Sequence, residues 1–192
     1  MPQALEPEGS ASWSTFSRFL QRLFAVGVIF EGVRALRTYL KFRGSRIIRC
    51  PENHLPAAVH VAAGKAAVES TTHAPHLTLS DCSRWPEKAG CGQECLAQVK
   101  EAPEACLVSN IVNQWYEGKS CVYCHKPFGT IHWHDHPPAL VDEQRKPVQW
   151  NEVALENLQQ TMGTHWPVCW NCHVAETFRR LHPELVTDRP AH

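Results

Sequence analysis

Two cysteine pairs are the residues best equipped for chemistry: Cys121-Val122-Tyr123-Cys124 and Cys169-Trp170-Asn171-Cys172, each followed at once by a histidine, His125 or His173. Cysteines with two residues between them sit on a tight turn that aims both sulfurs at one point. Two such pairs brought together supply four thiolates in a tetrahedron, the arrangement Zn²⁺ prefers. The same letters read as two CxxCH signals for covalent haem c attachment, which would make the chain a dihaem electron carrier. Haem c attachment requires export. Residues 1–33 lack the usual secretory pattern, since the start carries Glu6 and Glu8, Arg22 interrupts the apolar run, and no small-residue cleavage site follows. Under the metal-thiolate reading His125 has a conformational task. The residue after a cysteine knuckle often needs φ > 0, which His tolerates better than most residues.

A second group is more dispersed. Cys50, Cys82, Cys91 and Cys95 fall at the ends of short expected elements and make a second candidate S4 site. The spacing of Cys91 and Cys95 puts both sulfurs on one face if a helix starts there. Zinc suits four thiolates, an iron–sulfur cluster suits them as well, and disulfides would do so in an exported module. The remaining cysteine, Cys106, falls in a helix expected over 104–116 and reads as buried core. Nine cysteines cannot all pair as disulfides. Two clusters in a chain with no clear signal peptide favour a reducing, cytoplasmic setting and metal binding.

His132-Trp133-His134-Asp135-His136 could ligate a metal or do acid–base work. On a strand the three histidines would share one face and Asp135 would point to the other.

The elements that must position these groups follow from hydrophobic patterning and punctuation. Residues 1–12 are rich in Pro, Glu, Gly and Ser and read as a disordered tail. Residues 13–43 read as an amphipathic or anchoring helix, with Phe16, Phe19, Leu20, Leu23 and Phe24 on one side and Arg18 and Arg22 on the other. Its uncharged run, 23–30, falls well short of a membrane span. Arg34, Arg37, Lys41, Arg43, Arg46 and Arg49 form a basic flank suited to an anionic membrane surface, which would place the chain at the cytoplasmic face of that membrane. Residues 44–100 form a cysteine-rich module, with strands expected near 46–50, 57–61 and 76–79 and a short helix or loop over 64–72. A linking helix occupies 103–117, with Pro103 in its first turn and Gly118 ending it. The second metal module spans 118–182, and 183–192 is a tail. The fold class is α+β, with small metal-stapled modules and short antiparallel strands. The formal charge is zero, with 19 basic and 19 acidic residues, so nothing global argues for a nucleic-acid partner.

The order of knuckle, hairpin, second cysteine pair and helix in 118–182 resembles a treble-clef or zinc-ribbon domain. The same segment is weakly similar to HNH endonucleases, whose metal site is often built on such a frame. That resemblance would make Asp135-His136 the base segment, Asn157 the middle Asn and His173 the last ligand of a catalytic ion. The segment departs from that family in lacking its Gly-Gly, in the length of 158–168 before the second pair, and in having no basic stripe. The 44–100 module resembles cysteine-rich segments of uncharacterised bacterial proteins, which brings no activity with it. The resulting expectation is a metal-binding accessory protein without catalysis of its own, holding two zinc ions and serving a protein partner or larger complex. A haem c or iron–sulfur electron carrier and an HNH-like nuclease are the alternatives.

Overall fold

A computed structural model of the chain describes residues 10–85, 87–88 and 90–186. The tail expected over 1–12 lies outside the described residues as far as residue 9. Residues 10–12 belong to the first helix. Of the tail expected over 183–192, residues 187–192 lie outside the described set, and Pro183–Leu185 form a 3-10 turn.

In chain order the elements are α1 (Ser10–Phe42), β1 (Ser45–Arg49), β2 (Pro56–Val61), α2 (Ala63–Glu69), β3 (Leu79–Cys82), α3 (Leu96–Glu101) and α4 (Val108–Tyr116). They continue with β4 (Ala139–Val141), β5 (Pro147–Val148), α5 (Leu158–Thr164), β6 (Trp166–Val168) and α6 (Trp170–Leu181). The class is α+β. Contacts divide the chain into two units, 1–43 with 62–78, and 44–61 with 79–192. Residues 62–78 thus group with the first helix and not with the rest of the 44–100 module.

In the first unit α2 packs on α1, and its Ala63, Ala66 and Ala67 are buried. The Ala62 N–H donates to the Thr78 carbonyl at 2.9 Å, closing the loop that follows α2. The apolar side chains of α1 are not confined to one side. Phe16, Leu23, Phe24, Val26, Val28, Ile29 and Phe30 are all more than half exposed. At about 100° per residue they surround the helix and do not form the single stripe expected from 16–24. No helix among the described residues is long and apolar enough to cross a membrane.

The second unit holds two small antiparallel sheets, ordered β1-β2-β3 and β5-β4-β6. β-Branched and small residues at Ile47, Ile48, Ala57, Ala58 and Val59 bury both strands of the β1–β2 pair. Ile47 and Ala58 then share one core cluster with Val112 and Tyr116 of α4 and Leu158 of α5. Tyr116 anchors it. Its hydroxyl donates to the Ala139 carbonyl at 3.0 Å and accepts from the Trp150 indole at 3.0 Å, so the buried polar atom is satisfied. Burial pushes the Tyr116 phenol well above its ordinary pKa.

Several boundaries differ from expectation. The third strand starts at Leu79, where the sequence pattern had placed its end. The linking helix starts at Val108 instead of Glu104, and Pro103 lies in the turn before it. The cause is the free edge of β1. Its Ile47 N–H takes the Cys106 carbonyl at 2.9 Å, and Leu107, held extended, bridges Arg46. Gly118, at φ 71°, does follow the helix end as expected.

Candidate metal centre

The knuckle at Cys121 is built by backbone hydrogen bonds. The Cys121 N–H donates to the Lys126 carbonyl and the His125 N–H to the Cys121 carbonyl, each at 2.9 Å, while Ser120 bridges Pro127. His125 adopts φ 57°, the left-handed conformation expected of it. The second pair arrives on a helix start. Cys169 is the N-cap of α6 and follows β6, whose neighbour in the sheet is β4. The Val122 N–H donates to the Pro167 carbonyl at 3.0 Å, which ties the knuckle to β6. Cys121, Val141 and Val168 form a buried cluster beneath the site.

Cys124 Sγ and Cys169 Sγ lie 3.7 Å apart. Zn–S bonds of about 2.3 Å put the sulfurs of a tetrahedral site about 3.8 Å apart. The sulfurs of Cys121, Cys124, Cys169 and Cys172 all fall within 4.8 Å of one another, so this cluster could hold a metal ion.

The electrostatics suit a cation. Burial raises the Cys121 thiol, but backbone N–H groups of Cys124, Cys169 and Tyr123 more than offset it and bring it down to about 7. Burial raises Cys169. Burial and then the crowding of Cys169, Cys124 and Cys121 push Cys172 far above its usual value. The Cys121 thiol is the readier to ionise, while Cys169 and Cys172 resist adding charge. A bound dication removes that resistance.

The histidines stand apart from this cluster. His132–His136 form an exposed turn, not a strand, with the His136 N–H donating to the His132 carbonyl at 2.9 Å. The three histidines therefore share no strand face. Trp170 stands between His136 and His173 in the ring packing, at centroid distances of 6.1 and 6.0 Å. His173 is buried in α6 with its Nδ1 unpartnered, and burial lowers its pKa despite nearby Glu152. Asn157 is an exposed helix cap at α5. Among the described residues, the group with donors drawn within 4.8 Å contains neither His136 nor His173.

Cys50, Cys82, Cys91 and Cys95 line one cavity of about 600 Å³ but are not drawn together as tightly as the first four. Burial, then Cys82, Cys91 and Cys50, raise the Cys95 thiol to about 11. The Arg84 guanidinium donates to Cys50 Sγ at 2.9 Å and to Glu52 at 3.1 Å. Sequence reasoning missed Arg84, although its place two residues after Cys82 was a usable signal. All nine cysteines are free thiols, Cys106 among them, half-buried against the Ala102 carbonyl at 3.3 Å.

No family model, no curated protein and no solved structure matches this chain. Its function has to be argued from its own residues.

Proposed function

We propose that the chain is a zinc-binding accessory protein whose ion, held by Cys121, Cys124, Cys169 and Cys172, staples a treble-clef-like module. The observation that carries this reading is four sulfurs within 4.8 Å of one another, with one pair at 3.7 Å. A knuckle, the β4–β5 hairpin, and a second pair that opens α6 are the parts of a treble-clef-like frame, and they support that classification. A closed set of four protein ligands leaves no open position for substrate, which favours a structural ion over a catalytic one.

The test is zinc content of the purified full chain, with Cys121→Ser and Cys169→Ser. Both variants are expected to lose this zinc and the near-UV circular dichroism of the tryptophan-rich core to the same degree. Structural zinc contributes on the order of 10 kcal/mol to folding of small modules. Full zinc retention in either variant would refute the shared site, and a Soret band in the wild type would establish haem in its place.

The partner in this reading is an anionic membrane surface, reached through α1. Exposed apolar side chains along 16–30, which encircle the helix, offer hydrophobic area to the bilayer, and the basic residues Arg34, Arg37, Lys41 and Arg43 offer charge to its anionic headgroups. Co-sedimentation is expected with vesicles containing phosphatidylserine, weakening as salt rises, and to be lost in Phe24→Glu/Ile29→Glu with zinc unchanged. Equal binding of the wild type and the double variant would dismiss the membrane role of α1.

A further inference from the structure

The knuckle occurs twice in this chain. In the turn after β1 the Cys50 N–H donates to the Leu55 carbonyl at 2.9 Å, the His54 N–H donates to the Cys50 carbonyl at 2.8 Å, and His54 holds φ 58°. In the turn at Cys121 the corresponding bonds are both 2.9 Å and His125 holds φ 57°. Cys50 stands where Cys121 stands, His54 where His125 stands, and Asn53 replaces Cys124. Backbone N–H groups of Glu52 and Asn53 reach the Cys50 sulfur, as those of Tyr123 and Cys124 reach Cys121. Such a turn presents a thiolate to a metal, yet here the companion thiol is missing from the turn itself.

The missing ligands come from further along. Cys82 ends β3, Cys95 precedes α3, and Cys91 lies on the loop between them. All three face the cavity that Cys50 lines, about 600 Å³ in volume. The same chain draws four sulfurs to within 4.8 Å at one site, while among the described residues no second group of three or more donors is gathered in that way and these four cysteines line a space of about 600 Å³. Four thiolates round one ion must be about 3.8 Å apart. Four thiolates round a cluster sit on its corners, farther from each other.

We propose that Cys50, Cys82, Cys91 and Cys95 ligate an iron–sulfur cluster of the four-iron type in this cavity. The surroundings match that cargo. Ile48, Ala57 and Leu79 give it apolar walls. Trp85 lines the cavity, and its indole N–H is buried without a partner, a donor available to a cluster sulfur. Arg84 already donates to Cys50 Sγ at 2.9 Å and brings positive charge to a site whose thiolates and sulfides are negative. Each cysteine releases its thiol proton on binding iron, and no other bond in the protein changes.

The test uses the full chain, anaerobically reconstituted with ferrous and ferric iron in equal amounts and sulfide, so that the mixed-valence cluster assembles without an outside oxidant, then desalted. The expected product holds iron and acid-labile sulfide in equal amounts, about four of each per chain, with a broad visible absorption. Cys91 is exposed on a loop, so Cys91→Ala is the ligand variant that least disturbs packing. It is expected to lose the absorption and most of the iron while keeping the zinc bound by the other four cysteines. Cys124→Ser is expected to lose the zinc and, through the core that the β1–β2 pair shares with the zinc module, the iron as well. Loss of iron alone in Cys91→Ala is what distinguishes failure of this site from failure of the zinc site. Mössbauer spectra of the ⁵⁷Fe-loaded wild type, which need no variant to fold, are expected to show iron in tetrahedral sulfur ligation. Zinc filling this cavity in place of iron, a disulfide among these four cysteines, or full iron retention in Cys91→Ala would each overturn the assignment.

Discussion

His125 holds φ at 57° because the knuckle must turn sharply while its N–H reaches back to Cys121. That backbone demand, and no ligand role, explains the residue in the zinc reading. His125→Gly should then be tolerated, within about 0.5 kcal/mol, since Gly enters this region freely. His125→Val should cost about 1–2 kcal/mol, the penalty for a β-branched residue there. Denaturation of the zinc-loaded protein measures both. A chain that used CxxCH for haem would behave otherwise, losing its axial ligand and its Soret band in His125→Gly. The unlike settings of the two motif histidines point the same way, because His125 is exposed on a turn while His173 is buried in α6 beside Trp170.

At the scale of elements, the short strand β1 does more than its length suggests. It pairs with β2 along Ser45–Arg49 and lends its other edge to Cys106 and Leu107, which delays the start of α4. Gly44 sets up this strand at φ 91°, and a Cβ there would meet Leu107 Cδ1 at 3.1 Å. Gly44→Ala should therefore destabilise by about 1–2 kcal/mol through the left-handed backbone alone, with the Leu107 contact adding to it. The shift should appear as a lower denaturation midpoint with zinc content unchanged. A midpoint equal to wild type would show that the turn relaxes to negative φ without disturbing β1.

Across the larger unit, the division into separate cysteine modules is crossed by packing. Ile47 and Ala58 from the β1–β2 pair share their core with Tyr116, which borders the zinc module, and with Leu158 inside it. A domain whose whole stability is about 5–15 kcal/mol cannot lose a zinc site of comparable size and keep the shared core intact. Stripping zinc with a chelator should consequently raise hydrogen exchange at the Ile47, Val59 and Val112 amides together with those of α6. Continued protection of the β1–β2 amides after zinc removal would mean that the two cysteine regions fold independently.

The cysteine pairs were legible from the chain because a CxxC turn is a local object. Its spacing fixes where two sulfurs point, and the positive φ of His125 follows from the same turn. The β1–β2 hairpin and the α+β class were legible for a similar reason, as periodicity and turn residues are written within a few positions of one another. Three matters waited for the tertiary structure. α1 could not be sorted into faces until its apolar residues were seen to encircle it, because a short uncharged run satisfies a stripe and a ring alike. A strand at 132–136 would have set its three histidines on one face, and only the structure shows a tight turn there instead, with Trp133 packed against the core. The likeness of the Cys50 turn to the Cys121 knuckle was hidden because Asn53 removes the motif while the backbone bonds that define the turn remain. Motifs record side chains, and a fold is held by backbone bonds and burial that different side chains can satisfy equally well.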